Sequence, residues 1–175
     1  MNWDAFHRRG DVLNAVIAEL DSRNDGVLPM YVAGVEQTFR DELDLLSALS
    51  LKWHTRLSGR LERVMTEQPL DFESAVIGGW RDNVAELPGI RLALDAALAG
   101  SDADVLAVLG KSQQKEHELL ALWSGRVSAY QLEEYGAREG VKVEAKAREG
   151  FAFPAAVAAP AETPSFLERL KAAVA

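Results

Sequence analysis

The chain has 175 residues, no cysteine and a formal net charge of −8 at pH 7. This length is typical of one domain with a single core. The absence of cysteine excludes disulfides, thiol nucleophiles, iron–sulfur clusters and zinc sites built on cysteine. The acidic balance argues against nucleic acids and anionic membranes as partners, because both carry negative charge. Hydrophobic residues make up 48% of the chain, which is enough to form a core.

Neither a membrane span nor an export signal is predicted. The N-terminal residues lack the apolar run of a signal peptide. No stretch approaches the roughly 20 apolar residues that cross a bilayer. We therefore expect a cytoplasmic protein. Arg outnumbers Lys and Ala is abundant, which indicates a GC-rich, bacterial genome.

The spacing of apolar residues predicts helix through most of the first 130 residues. The first helix covers about 4–22 and ends at the turn-forming run 23–26. Pro29 suits the first turn of a second helix, and apolar residues at intervals of three and four extend that helix to about Val64. A helix of this length spans roughly 52 Å at 1.5 Å per residue. We therefore expect a kink or an exposed extension within it.

Three further helices follow. Asp71 is the predicted N-cap of a helix over 72–87. Pro88-Gly89 interrupts the apolar stripe, and a short helix over 90–98 resumes it. The last long helix begins at a capping arrangement of Ser101 and Asp104 and extends to about Tyr130. About four main helices with short connections predict an all-α, antiparallel (up-down) bundle, which we assign to residues 1–150.

Residues 136–150 have an ambiguous pattern. Ala-Arg-Glu-Gly occurs at 137–140 and again at 147–150, and the residues between alternate apolar and polar side chains as a strand does. Ala, Lys and Glu, however, are good helix formers. Because the sequence offers no convincing partner strand, we expect a frayed helix or an extended segment here.

The C-terminal end predicts a tethered helix. We assign residues 151–164 to a linker, since Pro and Ala dominate 154–164. Ser165 and Glu168 form a capping box that starts a short amphipathic helix over 165–175. Its apolar interaction face comprises Phe166, Leu167, Leu170 and Val174. A helix this short is not stable alone in water, so it must pack on its own bundle, a second copy or another protein.

Motifs of common enzymes are absent. The sequence contains no Gly-x-Ser-x-Gly elbow, no Walker loop and no Gly-x-Gly-x-x-Gly turn, and its glycines are scattered. These absences favour a non-catalytic protein with no cofactor.

One layer of the predicted bundle has residue types suited to a metal. Counting residues back from each turn places His54, Asp82, Glu116 and His117 at a common level. Imidazole and carboxylate ligands suit zinc, iron or manganese. The Glu-x-x-His pair of ferritin-type sites is missing, because Gln114 stands three residues before His117. We therefore favour ordinary hydrogen bonds for the two histidines and a solvent-facing Glu116.

The four tryptophans fall one on each main helix, and we interpret them as core anchors (Trp3, Trp53, Trp80 and Trp123).

Three hypotheses for function follow from the patterns described above. The first is a non-catalytic bundle that acts through protein contacts, with itself or with another protein, and uses 165–175 as docking element. The second is a metal-binding bundle with oxidase or hydrolase activity and a divalent metal as cofactor. The third is a carrier of a small apolar ligand in a Trp-lined cavity. Nucleic-acid binding is disfavoured, because Arg56, Arg60 and Arg63 form only a short basic stripe.

Overall fold

Helices account for nearly all regular structure in the part of the chain that the computed structural model describes. It describes the backbone of residues 3–153 and the side chains of residues 7–153. The predicted docking residues Phe166, Leu167, Leu170 and Val174 lie outside it. Over residues 3–153 there are seven α-helices and one short 3-10 helix, and no strand. The α-helices are α1 (Trp3–Arg23), α2 (Val35–Thr38), α3 (Glu42–Thr66), α4 (Phe72–Glu86), α5 (Pro88–Ala99), α6 (Ala103–Trp123) and α7 (Leu132–Arg148).

The prediction of an all-α protein is confirmed, with more members than expected. Six of the described helices have 12 residues or more, whereas the sequence predicts about four main helices. The up-down order of neighbours stays a prediction. Helix α3 packs against α4, α5 and α6. Helix α7 packs against α6 and α4, whereas α1 packs against α5 and α2.

The segment from Pro29 to Val64 is not one continuous helix: where the sequence predicts a kink or an exposed extension, the structure has a full break between α2 and α3. Gly34 has a left-handed backbone (φ 89°), and Phe39 is extended (φ −113°, ψ 137°). Helix α3 starts only after Asp41, whose carboxylate accepts a hydrogen bond from the Asp44 amide at 2.7 Å. Phe39 is nevertheless buried. The apolar spacing therefore continues across a break in the backbone, which is why periodicity alone suggested one helix.

Helix α5 begins in tight contact with α1. Pro88 occupies its first turn, where a missing N–H costs nothing. A Cβ on Gly89 would lie 2.4 Å from the backbone carbon of Leu20, so only glycine fits there. The Gly89 amide donates to Asp21 Oδ1 at 2.9 Å. These contacts set the position of α5 relative to α1.

Residues 132–148 form a regular helix, so the expectation of a frayed or extended segment over 136–150 is wrong. Val143 and Ala147, four residues apart, are fully buried against the core. Gly136 and Gly140, also four apart, lie against α6. Two glycines lower the helix propensity of this segment, but they allow close packing that offsets the loss. Phe151 and Phe153, which we assigned to the linker, pack onto the core as well.

Candidate functional site

Glu116 lies in the core, between α6 and the helices α3, α4 and α5. Its side chain is only 3% exposed. Trp53 Nε1 donates to Glu116 Oε2 and Trp80 Nε1 donates to Oε1, both at 3.0 Å. Arg91 Nη1 donates to Oε2 at 3.3 Å. Both carboxylate oxygens are thus satisfied, and the guanidinium balances the buried charge.

Arg91 continues the polar contacts to the neighbouring helices. It is 2% exposed, and its Nη2 lies 2.8 Å from Asp95 Oδ1. Arg148 donates to both oxygens of Asp95 at 2.9 Å. Arg148 also donates to Glu144 Oε1, and His117 Nε2 lies 2.6 Å from Glu144 Oε2. We call these six residues the ion-pair chain: Glu116, Arg91, Asp95, Arg148, Glu144 and His117. It connects α6, α5 and α7.

Two tryptophans at the centre of the core, Trp53 and Trp80, pack against the two arginines of the ion-pair chain. Trp53 and Trp80 are fully buried and pack edge to face, with ring centroids 6.2 Å apart. The Arg91 guanidinium lies 5.0 Å from the Trp53 ring, and that of Arg148 lies 5.1 Å from the Trp80 ring. Each indole thus contributes apolar packing, a cation–π contact and one N–H donor. The interpretation of these two tryptophans as core anchors is confirmed.

The four predicted metal ligands do not converge. His54 Nδ1 lies 4.0 Å from Glu116 Oε2, so these two residues share a level as predicted. Asp82 is 68% exposed and lies 3.8 Å from Arg60. His117 points to Glu144 on α7 instead. Among the residues with described side chains, no group of three His, Asp or Glu is arranged to hold a metal ion.

The predicted ligands diverge because successive side chains of a helix point in different directions around its axis. Glu116 and His117 are consecutive in α6, so their side chains leave the axis about 100° apart. Counting residues from the turns estimates the level along the bundle, but it carries no information on direction around the axis. The expectation of a solvent-facing Glu116 is wrong for the same reason.

The space beside Glu116 is too small for a substrate. It is bordered by Ser50, His54 and Arg91 and has room for about 10 Å³, at most one water molecule. Burial lowers the pKa of His54, and the Arg91 charge lowers it further, although the Glu116 carboxylate opposes both. We therefore expect a neutral His54 at pH 7. The residues of this site hold charge in the core, beside a space of this small size.

Glu144 predicts a specific dependence of stability on pH. Burial raises its pKa, but the hydrogen bond with His117 and the charges of Arg148 and Arg91 outweigh this and lower the pKa to about 2. A carboxyl with a depressed pKa stabilises the fold above its unfolded pKa, and this contribution is lost as pH falls towards about 2. We expect a loss of about 3 kcal/mol from this group over that range.

The Glu144→Gln variant tests this expectation. It should be less stable than the wild type at pH 7, and the difference should shrink steadily in urea unfolding series as pH falls from 5 to 3. A difference independent of pH would contradict the prediction. Glu139→Gln is the matched control on α7, because this carboxylate lies closer to the surface and pairs with Lys142 and Arg126.

The sequence analysis missed four members of the ion-pair chain, although a signal was present. Arg91 is the only basic residue in the apolar helix α5, and Asp95 follows it at the i+4 spacing of a helical ion pair. Glu144 and Arg148 repeat this spacing on α7. A charged pair inside an otherwise apolar helix indicates a buried partner elsewhere.

A groove on the surface runs between α1 and α3. It has a volume of about 470 Å³. We call it the α1–α3 groove; its lining comprises Arg9, Gly10, Leu13, Asp44, Ser47, Ala48, Leu51, Lys52 and Thr55. Leu51 is 69% exposed in the middle of α3. Arg9 donates to the Thr38 carbonyl at 2.9 Å and to Asp44 at 3.0 Å, beside the apolar residues.

The basic stripe on α3 continues beyond this groove. Arg56 and Arg60 both form ion pairs with Glu86 on α4, which reduces the positive charge of the stripe. None of the helices within residues 3–153 is long and apolar enough to cross a bilayer.

In comparisons with known proteins, the chain matches no protein-family model, no curated protein and no solved structure.

Proposed function

We propose that this chain is a non-catalytic helical bundle that acts through protein–protein contacts, with residues 165–175 as its docking element. The observation that supports this most is the α1–α3 groove, where a leucine is largely exposed beside other apolar side chains. A surface groove with apolar side chains can receive the apolar face of a short helix. The capping box and the apolar face of 165–175 supply a segment that is unstable unless it docks.

The buried polar residues fit the same proposal. Glu116 accepts hydrogen bonds from Trp53 and Arg91, and Glu144 pairs with His117. The space beside Glu116 has room for about 10 Å³. The contacts of Glu116 and Glu144 connect α6 with α5 and α7. Such a satisfied polar network makes the packing of these helices rigid. A rigid bundle holds its surface helices in fixed positions for contact with other proteins.

Removal of the segment tests the proposal. Truncation after Ala161 should abolish self-association or retention of a partner protein, because it deletes all four apolar docking residues. Light scattering coupled to size exclusion measures the mass, and circular dichroism should show that the bundle stays folded. In the full chain, Leu170→Asp should act like the truncation, whereas Lys171→Ala on the polar face should not. Unchanged mass together with unchanged partner retention in the truncated chain would contradict the proposed function.

A further inference from the structure

We infer that the outer side of α3 is a docking surface for an amphipathic, acidic helix of another protein. This surface, which we call the α3 face, consists of the α1–α3 groove together with the basic stripe of Arg56, Arg60 and Arg63. The inference rests on the proposed function, because it takes protein contact as the activity. It adds the place of one contact and the chemistry of the partner.

The groove and the basic stripe form one continuous surface. Lys52 and Thr55 line the groove, and they also line a second cavity of about 230 Å³ over the basic stripe. The lining residues of α3 recur with the three- and four-residue spacing of a single helix face. From Asp44 to Arg63 this face extends about 28 Å along the axis, which is the length of a helix of about 19 residues.

The charge of the α3 face is opposite to that of the whole chain. The chain has 19 basic and 27 acidic residues. The described lining residues of the two cavities include five bases and one acid (Arg9, Lys52, Arg56, Arg60 and Arg63 against Asp44). A local reversal of this kind favours a partner with acidic residues, since complementary charges steer association and select partners.

Acidic residues of α4 neutralise only the middle of the basic stripe. Glu86 forms ion pairs with both Arg56 and Arg60, and Asp82 lies 3.8 Å from Arg60. These contacts hold the two guanidinium groups against α4. The charge that a partner meets must therefore come from the two ends of the stripe.

Lys52 and Arg63 supply this charge. Both are exposed, and neither forms an ion pair within residues 7–153. They are 11 residues apart, which is about 16 Å or three helical turns. A second helix that lies along α3 can therefore place one carboxylate beside each of them.

The apolar part of the surface selects the class of partner. Leu13 of α1 and Ala48 and Leu51 of α3 give the groove apolar walls, which suit the apolar face of a helix. A nucleic acid or a free phosphate ion would use the basic part alone. Both parts are used by a helix that carries leucine-like residues towards one end and carboxylates towards the other.

Residues 165–175 match the α3 face less well than such a helix does. Their charged side chains are Glu168, Arg169 and Lys171. The segment of either copy would thus bring more bases than acids to a surface that already has an excess of bases. Charge complementarity therefore favours a helix of a different, acidic protein.

Synthetic peptides of about 20 residues, measured with the full chain by fluorescence anisotropy, test this inference. Two alanine-based helical peptides carry leucines in one half and glutamates in the other, in opposite orders, each at intervals of three and four. We expect one of them to bind, because one order matches the direction from the groove to the basic stripe. Binding should weaken as the salt concentration rises, since salt screens the exposed charges.

Variants of the α3 face should change this binding in a specific way. Leu51→Asp and the double variant Lys52→Glu/Arg63→Glu should each weaken it about tenfold or more. A peptide with lysines in place of the glutamates should bind the double variant more tightly than the wild type, because both charges are then reversed. A variant that only misfolds cannot gain affinity for the lysine peptide.

Controls make the same changes elsewhere on the surface. Leu70→Asp changes a fully exposed leucine between α3 and α4. Lys111→Glu/Arg138→Glu makes the same change of charge at exposed residues of α6 and α7. Both controls should bind the acidic peptide as the wild type does, and circular dichroism should show equal helix content in all variants.

Four outcomes would overturn the inference. Failure of both acidic peptides to bind, or equal binding of the lysine peptide to the wild type, would exclude an acidic helix. Binding of a single-stranded oligonucleotide that is lost in Lys52→Glu/Arg63→Glu, without peptide binding, would assign the face to nucleic acid. Peptide binding only in the chain ending at Ala161 would assign it to the chain's own segment. A wild-type dimer that dissociates in Leu51→Asp would assign it to a second copy.

The proposed function fails on a different result. It is contradicted when mass and partner retention stay unchanged after truncation at Ala161, whatever the peptides do. The peptide measurements on the full chain test only the α3 face.

Discussion

Replacing Glu116 with alanine is expected to lower the free energy of unfolding by about 3–5 kcal/mol, the usual cost of breaking a buried ion pair. The side chain accepts from Trp53, Trp80 and Arg91 in the core. Its removal leaves both indole N–H groups without an acceptor and leaves Arg91 with Asp95 alone. Buried donors without partners cost more than the hydrogen bonds themselves are worth.

Urea unfolding followed by tryptophan fluorescence measures this effect directly, because two of the donors are indoles. Glu116→Gln should be intermediate, since it keeps one acceptor oxygen but loses the charge. Asp82→Ala is the control, because this carboxylate is exposed and its loss should change the free energy of unfolding by less than about 0.5 kcal/mol. A loss below about 1 kcal/mol for Glu116→Ala would mean that the network contributes little to stability.

Gly140→Ala should also destabilise the protein, by about 3–5 kcal/mol, through overpacking and the loss of a buried pair. A Cβ at this position would lie 1.9 Å from the carbonyl oxygen of His117 and 2.3 Å from its carbonyl carbon. Both neighbours are backbone atoms of α6, so no side-chain rotation relieves the clash. Helix α7 must move away from α6, which breaks the 2.6 Å contact between His117 and Glu144.

Gly110→Ala provides the matched control for this variant. Gly110 lies in the interior of α6, and apart from its chain neighbours and the backbone of its own helix no described heavy atom is within 4 Å of its Cβ position. Alanine is the better helix former, so this variant should be more stable by about 0.5–1 kcal/mol. The two variants carry the same substitution and differ in what the new methyl group meets. Denaturant midpoints that shift in the same direction would contradict the packing assigned to Gly140.

The predicted helix boundaries were accurate where a local chemical signal marks them. Asp71 caps α4 by accepting from the Ser74 amide at 3.0 Å, as predicted. Pro88 separates α4 from α5. The cap of α6 is Asp102, one residue after the predicted Ser101. The sequence did not locate the break at Phe39, where the apolar spacing continues although the helix does not. The last long helix was predicted to extend to about Tyr130, but α6 ends at Trp123, shortly before Gly125 with its left-handed backbone.

The candidate site was predictable in part. The levels of His54 and Glu116 were correct, because residues rise along a helix by a constant step. The direction of each side chain was not, since it depends on which helix lies opposite. Arg91 and Glu116 are 25 residues apart, and Trp53 and Glu116 are 63 apart. No local pattern joins residues at such separations.

The amino-acid sequence by itself determined the all-α class, most helix boundaries and the burial of Trp53 and Trp80, because periodicity and capping act within a few residues. Only the tertiary structure decided that Glu116 binds two indoles and Arg91, that His117 turns to α7 and that Gly140 touches α6. These contacts depend on the rotation and spacing of helices that are distant in the chain. The same holds for the α1–α3 groove, since it forms only where α1 and α3 lie side by side.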